Sequence, residues 1–345
     1  MSGEIAIVCN SRAERGPLES VIAALPDAHV LSVDASGMTP EQGMRMALFQ
    51  FDAMLKTKPF KLVIVLGDRY ETLGAALAAF FLRIPIAHIH GGETTTGAFD
   101  DALRHSISHM ATLHFCPTAK AFHKLSMMGF DRGALFRVGA PGLDGIPQNS
   151  ARRDHKNLVL VTFHPETMAE DYGVANCRAM LSAFDDFTGA EFIFCGINSD
   201  PGGLDVGSLQ KQWCAESMRG IWRDDLNHAE YVALMQKAAL VIGNSSAGVI
   251  EAPWVGVPSV NIGNRQDGRP PSPSVFYAKG DEREIGYCIK RALAFRGDPA
   301  PAYQGGAAPK IAAICREFVE RGKVEPMFYA GGPNGFGSAT PLEKV

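Results

Sequence analysis

Short apolar runs alternate with helix-length segments along almost the whole chain, and this alternation limits the possible folds more than any other feature. Several runs are dense in Val and Ile, which is typical of strands buried on both faces. Buried strands separated by helices indicate parallel sheets covered by helices, and therefore an α/β fold. The predicted strands are residues 5–9, 62–66, 84–89, 113–116, 158–163, 192–195, 241–243 and 259–262, and the helix-length segments include 40–57, 70–82, 101–111, 177–187, 229–239 and 248–255.

The chain has 345 residues, which is more than a typical single core contains. A polar, turn-rich stretch at residues 141–156 separates two series of strands and helices. We therefore predict two doubly wound, Rossmann-like domains, one at 1–145 and one at 155–325, facing a central cleft. Because ligands of such sheets bind beyond the carboxyl ends of the strands, the residues that directly follow each strand are the candidates for a site.

Composition excludes several other classes of protein. The apolar share is 46%, the charged share is 20% and the formal net charge is -4, with no long run of one sign. This argues against a nucleic-acid-binding surface and against a membrane-surface helix. No stretch approaches the roughly 18 apolar residues of a membrane span, and the amino terminus lacks a signal-peptide pattern. The cysteines are scattered without a CxxC pair, as expected of free thiols in a reducing compartment. We expect a cytoplasmic protein with no nucleic-acid or membrane partner.

The first motif, Gly67 to Glu71, directly follows the predicted strand 62–66. Asp68 stands beside a glycine turn at the carboxyl end of that strand, where its carboxylate can face a ligand. The alternative is that Asp68 caps the next helix, whose first amides need an acceptor. Either reading places Asp68 at the sheet edge.

The second motif reads HIHGGE and ends at Glu93. His88 and His90 alternate on one face of a strand, and the two glycines let a ligand approach the backbone closely. Two histidines near a glutamate are also compatible with a metal site, but the context is a β–α turn and no third cluster of ligands follows. We therefore predict no metal and interpret Glu93, together with the charged residues that follow it, as an acid–base group.

Charged residues are concentrated at the start of the next helix. Asp100, Asp101 and Arg104 come shortly after the second motif, and together with Glu93 they are suited to acid–base chemistry and to orienting a substrate. The alternative is a capped helix start with ordinary surface charges.

Three further motifs lie in the second domain and indicate a phosphate-binding function. His164 ends the first strand of that domain and can donate to a diphosphate. A small-residue turn then leads into a helix, where free amides and serine hydroxyls can bind an anion and a carboxylate can bind ribose. A loop with two cationic side chains follows the next strand. The alternative for the turn is a simple helix cap, and the alternative for the loop is an ordinary solvated surface loop. The candidates from the turn and the loop are Ser245, Ser246, Gly248, Glu251, Arg265, Gln266 and Arg269.

In this order and spacing, the motifs resemble those of the hydrolysing UDP-N-acetylglucosamine 2-epimerases of the sialic-acid and legionaminic-acid pathways. The resemblance covers most of the chain. Its motifs are the loop that contains Arg12, then GDRYE, HIHGGE, DDALRH, TFHPET, NSDPGG, GNSSAGVIEAP and NIGNRQDGR.

This resemblance implies a fold of the GT-B glycosyltransferase type, with the tail 331–345 crossing back to the first domain. It implies loss of UDP with removal of the C2 proton, followed by addition of water to give the 2-epimer. It also implies that no cofactor is required and that the protein is a homodimer.

The resemblance also implies which residues of this chain occupy the family's site positions. Asp68 matches one catalytic carboxylate of the family, and Asp100 or its neighbour Asp101 matches another. A third family carboxylate, present where members read HIEGGE, is replaced by His90, so that either His90 or Glu93 takes its role. The positions that bind the nucleotide sugar are matched by Arg12, His164, Asn198, Ser245, Ser246 and Glu251.

Two other classes share some of these features. A glycosyltransferase of the GT-B type shares the fold and the nucleotide motifs but does not need the cluster around Asp68. A nucleotide-sugar sensor keeps the GNSSAG turn but can lose the carboxylates. The sugar remains open between UDP-N-acetylglucosamine and a 2,4-diacetamido-2,4,6-trideoxy hexose, and the nucleotide between UDP and GDP.

Overall fold

The structure, a computed structural model, describes residues 4–151, 155–197, 200–224 and 226–321, without the side chains of residues 12, 13, 155 and 156. The chain divides into two compact units, and each of them is built on one parallel sheet. The predicted two-domain α/β fold is confirmed.

The first unit has a six-stranded sheet in the order β2-β1-β3-β4-β5-β6. Successive residues of β3 point to opposite faces: Ile64 packs into a core that includes β1 and its helix, and Val65 packs into a second core on the other face. This double burial is why the strand is a continuous apolar run. The elements are β1 (Ile5–Val8), α1 (Arg12–Ala24), β2 (His29–Leu31), α2 (Pro40–Leu55), β3 (Leu62–Leu66), α3 (Tyr70–Phe81), β4 (Ile86–Ile89), α4 (Asp100–Met110), β5 (Leu113–Cys116), α5 (Ala119–Met127) and β6 (Leu135–Arg137).

The second unit repeats this plan with a sheet in the order β12-β11-β10-β7-β8-β9. Its central strand also alternates between two cores, with Ile242 on one face and Val241 on the other. The elements are β7 (His155–Thr162), α6 (Val174–Ala183), β8 (Glu191–Cys195), α7 (Gly203–Glu216), β9 (Gly220–Arg223), α8 (His228–Lys237), β10 (Ala238–Gly243), α9 (Glu251–Val255), β11 (Ser259–Ile262), β12 (Val275–Ala278) and α10 (Glu282–Ala294).

The strands that the apolar runs did not predict are β2, β6, β9 and β12. They are the outer strands of the two sheets. An outer strand is paired on one side only and is partly exposed, as β2 and β9 are along their whole length. Its sequence therefore lacks a continuous apolar run.

Two boundaries of the predicted domains are wrong. The last described helix, α11 (Ala307–Glu320), falls within the predicted second domain but packs in the first unit, where Ile311 shares a core with Ile5 and Leu18. Asp144 caps this helix by accepting hydrogen bonds from the amides of residues 306–308, at 2.5, 3.0 and 2.7 Å. Conversely, Thr94–Phe99 belongs to the second unit. The tail 331–345 lies outside the described residues.

All seven cysteines are free thiols, and all except Cys214 are buried. Within the described part of the chain, no helix combines the length and the apolarity that crossing a bilayer requires.

Candidate active site

The order of the first sheet reverses between β1 and β3, because β2 lies on one side of this pair and β4 on the other. Ligands of doubly wound sheets bind beyond the strand ends at such a reversal. Asp68 follows β3 at this point, next to Gly67, which has a positive φ of 74°. The sequence prediction that Asp68 lies at the carboxyl edge of the sheet is confirmed.

Arg104 donates hydrogen bonds to three segments that carry candidate site residues. Its side chain is 1% exposed and donates from Nη2 to Asp68 Oδ2. The other terminal nitrogen, Nη1, donates to Asp101 Oδ1 at 3.0 Å and to the backbone oxygen of Glu93 at 3.2 Å. One buried guanidinium therefore joins the loop after β3, the loop after β4 and the first turn of α4. Such a fork can present two carboxylates in a defined geometry.

The two aspartates at the start of α4 have different surroundings. α4 begins at Asp100, which is half-buried. Asp101 lies within salt-bridge distance of both Arg104 and His105, with 3.5 Å between its Oδ2 and His105 Nε2. The ion pair between Asp101 and Arg104 connects Asp101 to Asp68, the other partner of this arginine.

His90 and Glu93 form a hydrogen-bonded pair after β4. His90 Nδ1 donates to Glu93 Oε2 at 2.9 Å, and the Glu93 side chain is 3% exposed. His90 has a φ of 65°, in the left-handed region that non-glycine residues rarely occupy and that often marks functional sites. A buried carboxylate on Nδ1 fixes the tautomer and the orientation of the ring. The pair can therefore act as one acid–base unit through Nε2.

The described residues contain no group of three histidine, cysteine, aspartate or glutamate side chains placed to hold a metal ion. Both ring nitrogens of His88 are engaged, with Nδ1 3.0 Å from Ser108 Oγ and Nε2 2.8 Å from the Gly67 oxygen. His88 therefore has no lone pair to offer a cation.

The loop after β1 contains a buried glutamate that we did not select as a site residue. Glu14 accepts hydrogen bonds from the amide of Asn10 at 2.7 Å, the amide of Ser11 at 2.9 Å and Thr72 Oγ1 at 2.7 Å, and burial raises the pKa of its carboxyl group. It ties this loop to α3. The cap of α1 by Ser11 with a glutamate three residues later is readable in the sequence, but the contact with Thr72 is not. Arg12 is the first residue of α1, and its side chain lies outside the described part.

The second sheet reverses between β7 and β10. At this point Gly243 has a φ of 140°, and a Cβ there would lie 2.0 Å from the Thr162 oxygen. Beyond it, Asn244 Oδ1 accepts from the His164 amide at 2.7 Å, while Asn244 Nδ2 donates to the His164 oxygen at 2.8 Å. The buried Asn244, which the sequence analysis did not select, thus positions His164.

The turn after Asn244 differs from the predicted helix start at residue 248. Residues Ser246–Gly248 form a 3₁₀ turn, and α9 begins only at Glu251 and has five residues. The amides of residues 247–250 all donate to Ser245 or Ser246. The prediction that free helix-start amides bind an anion is therefore wrong for these four amides. The serine hydroxyls and the Glu251 carboxylate remain as candidate groups.

The loop after β11 packs around the same asparagine. Gln266 Nε2 donates to the Asn244 oxygen at 2.9 Å, and Arg265 Nη1 donates to the same oxygen at 3.4 Å. Arg269 donates to Gln266 Oε1 at 2.8 Å and to the Tyr303 hydroxyl at 3.1 Å. These contacts bring Arg265, Gln266 and Arg269 to the end of β10, as predicted from their position after a strand. Gly248 also lies here, with its oxygen accepting from Ser259, whereas Asn198 lies outside the described residues.

The segment Thr94–Phe99 connects the two charged loops of the first unit but is held in the second. The Thr96 amide donates to the Asp267 oxygen at 3.0 Å, and the Phe99 amide donates to Thr167 Oγ1 at 3.2 Å. Glu93 and Asp100 directly flank this segment and belong to the first unit.

The chain is similar to a known family of proteins both in its sequence profile and in individual relatives. The sequence profile of the UDP-N-acetylglucosamine 2-epimerase family matches residues 18–316. A GDP/UDP-N,N'-diacetylbacillosamine 2-epimerase (hydrolyzing) of Campylobacter jejuni is 34% identical over 241 residues, which are 66% of this chain and 62% of that protein. The polysialic acid biosynthesis protein P7 of Escherichia coli is 33% identical over 68% of this chain and 62% of its own length. The matched region thus spans less than two thirds of these relatives.

Among solved structures, the UDP-GlcNAc 2-epimerase from Neisseria meningitidis bound to UDP-GlcNAc superposes with a TM-score of 0.75 at 16% identity. The superposition covers 92% of this chain and 99% of that one. At this identity the likeness establishes the shared fold.

Proposed function

The chain belongs to the UDP-N-acetylglucosamine 2-epimerase family, and we propose that it is a hydrolysing nucleotide-sugar 2-epimerase. It converts UDP-N-acetylglucosamine, or a close N-acetylated relative, to UDP and the free 2-epimer, such as N-acetylmannosamine. The observation that carries the proposal is the acid–base cluster of the first unit. There the buried Arg104 presents Asp68 and Asp101, and the neighbouring loop supplies the His90–Glu93 pair.

The reaction requires one base and one acid at C2 of the sugar. In the first step the base removes the C2 proton, and the bond between C1 and the diphosphate oxygen breaks, with UDP taking the electron pair. In the second step water adds its oxygen to C1 and loses one proton to solvent, while the acid delivers a proton to C2 on the opposite face. Proton exchange with solvent then restores the acid and the base. We assign the base to Asp68 and the acid to His90, with Glu93 orienting the ring through its hydrogen bond to Nδ1. Asp100 and Asp101 complete the acidic set, and Arg104 orients it.

The second unit supplies groups suited to a nucleotide diphosphate. Hydroxyls of Ser245 and Ser246, together with His164 and Arg265, are donors for phosphate oxygens. Glu251 offers a carboxylate for the two ribose hydroxyls. We retain Arg12, Asn198 and Gly248 as further substrate contacts. Gln266 and Arg269 hold the loop through the hydrogen bond between them.

Glu251→Ala is expected to raise KM by about ten- to a hundredfold, the value of a lost charge-assisted hydrogen bond, with a much smaller change in kcat. Ribose hydroxyls are remote from the bond that breaks, so their loss affects binding of substrate and transition state alike. Steady-state rates of nucleotide release measure both constants. The matched control is Glu216→Ala, because this exposed glutamate at the end of α7 contacts only Gln212 among the described hydrogen bonds. An unchanged KM in Glu251→Ala removes this residue from the site.

A second substrate is favoured by the relative from Campylobacter jejuni, whose name specifies N,N'-diacetylbacillosamine. The experiment is to incubate the protein with UDP-N-acetylglucosamine and with UDP- and GDP-linked 2,4-diacetamido-2,4,6-trideoxy hexose, and to follow nucleotide and sugar by NMR. Release of a free 2-epimer in the absence of any acceptor supports the proposal. Sugar transfer that requires an added acceptor would instead show a glycosyltransferase.

Activity is expected to persist in buffer that contains EDTA. Among the described residues no three histidine, cysteine, aspartate or glutamate side chains are placed to hold an ion, and both ring nitrogens of His88 are already hydrogen-bonded. The measurement is nucleotide release with and without chelator. Loss of activity that a divalent ion restores would contradict this expectation.

A further inference from the structure

His88 is fully buried in β4 and contacts two elements that carry site residues. Its Nε2 lies 2.8 Å from the Gly67 oxygen, in the turn that leads directly to Asp68. Its Nδ1 lies 3.0 Å from Ser108 Oγ on α4, one turn beyond Arg104. The ring thus bridges the two halves of the Asp68–Arg104 ion pair.

The contacts define the protonation of the ring. A carbonyl oxygen only accepts, so Nε2 carries the proton and donates to Gly67. Nδ1 then accepts from the Ser108 hydroxyl, and both nitrogens are satisfied by a neutral imidazole. Burial lowers the pKa of His88 to about 4, so the ring stays neutral at physiological pH.

Space around the ring is restricted. A Cβ at residue 91 would lie 3.1 Å from His88 Nδ1 and 3.2 Å from Ser108 Oγ. The glycine at this position therefore lets the HIHGGE loop pass beside the hydrogen bond without displacing it.

From these contacts we propose that His88 is a positioning residue for the reaction. Its neutral ring holds the Gly67–Asp68 turn and α4 at a fixed separation, so that Asp68 meets Arg104 in the productive geometry. The role rests on the proposed function, because Asp68 is the assigned base. His88 itself does not exchange protons with the substrate.

Two substitutions test the contact of His88 with Gly67 separately from its contact with Ser108. In His88→Gln the side-chain amide reaches the Nε2 position and can still donate to Gly67. In His88→Asn the shorter amide reaches only the Nδ1 position, so the Gly67 contact is lost while Ser108 keeps a partner. We expect His88→Asn to lower kcat by roughly tenfold to a hundredfold, the scale of a small misplacement of a reacting group, with KM within about threefold. His88→Gln should recover most of this loss.

His114→Asn is the matched control. His114 is the register partner of His88 on β5, and it is equally buried. Burial lowers its pKa to about 3, and its ring packs 4.6 Å from the Phe130 ring rather than against the Asp68 turn. Both asparagine variants should lower Tm, but only His88→Asn should lower kcat. Equal kcat losses in the two asparagine variants, or a glutamine variant as slow as His88→Asn, would overturn the positioning role.

A second measurement does not depend on activity. In two-bond ¹H–¹⁵N correlation spectra of the wild-type protein, the histidine signal that is absent from His88→Asn should be that of an Nε2–H tautomer that does not titrate between about pH 5.5 and 8. The neutral His114 ring is told apart by its absence from His114→Asn. An Nδ1–H tautomer for the His88 signal, or its titration in this range, would refute the proposal. If nucleotide release itself is not observed, the proposed function fails while this result still decides the state of His88.

Discussion

Asp68→Asn is expected to lower kcat for nucleotide release by about 10² to 10⁴, the usual value of general acid–base catalysis. Asparagine keeps the shape of aspartate and can still accept a hydrogen bond from Arg104, but it cannot take up a proton from C2. KM should therefore change little. Because the ion pair with Arg104 is mostly buried, the variant must be shown to fold by circular dichroism and Tm before its rates are compared.

The matched control is Asp131→Asn. Asp131 accepts from the Gly133 amide in an exposed turn of the same unit, a role that asparagine also fills. This variant should retain wild-type rates. A near-normal rate in Asp68→Asn would remove Asp68 as the base.

Solvent exchange tests the chemistry in the same assay. In D₂O the product should carry deuterium at C2, because the abstracted proton is lost before the intermediate is reprotonated. NMR of the free sugar reports this directly. Protium at C2 would rule out the elimination mechanism.

The second large effect is expected at His90. His90→Asn should lower kcat by about 10² to 10⁴, because it removes the assigned acid. Glu93→Gln should cause a smaller fall, since Glu93 acts through the hydrogen bond of 2.9 Å to His90 Nδ1. The double variant should be no slower than His90→Asn, because residues that act as one unit are not additive.

His109→Asn is the control for this series. His109 lies on α4 of the same unit, but it is exposed and packs against Phe130. Its replacement should leave kcat unchanged. Fully additive losses in the His90 and Glu93 variants would show that the two residues act separately.

The central strands of both sheets were predictable because they are buried on both faces, and burial favours an apolar side chain at most positions. The outer strands were not predictable. In β9, for example, half-buried residues alternate with exposed ones, and the alternation covers only four residues. Nothing in so short a segment distinguishes a strand from a loop before its neighbour β8 is in place.

The parts of the site that depend on residues close together in the chain could also be predicted from the sequence. Position after a strand placed Asp68, His90 and Glu93 at the sheet edge, and a spacing of three residues on a helix made the contact between Asp101 and Arg104 predictable.

The remaining features depend on contacts between residues far apart in the chain. Arg104 reaches Asp68 across 36 residues, and Asn244 binds the backbone of His164 across 80. The apolar face of α11 identifies a buried helix but not the core it enters, and only the folded first unit, with Asp144 at the helix start, determines that choice. Residue type and local spacing specify which groups are available, whereas their partners follow from loop positions that exist only once the strands have paired.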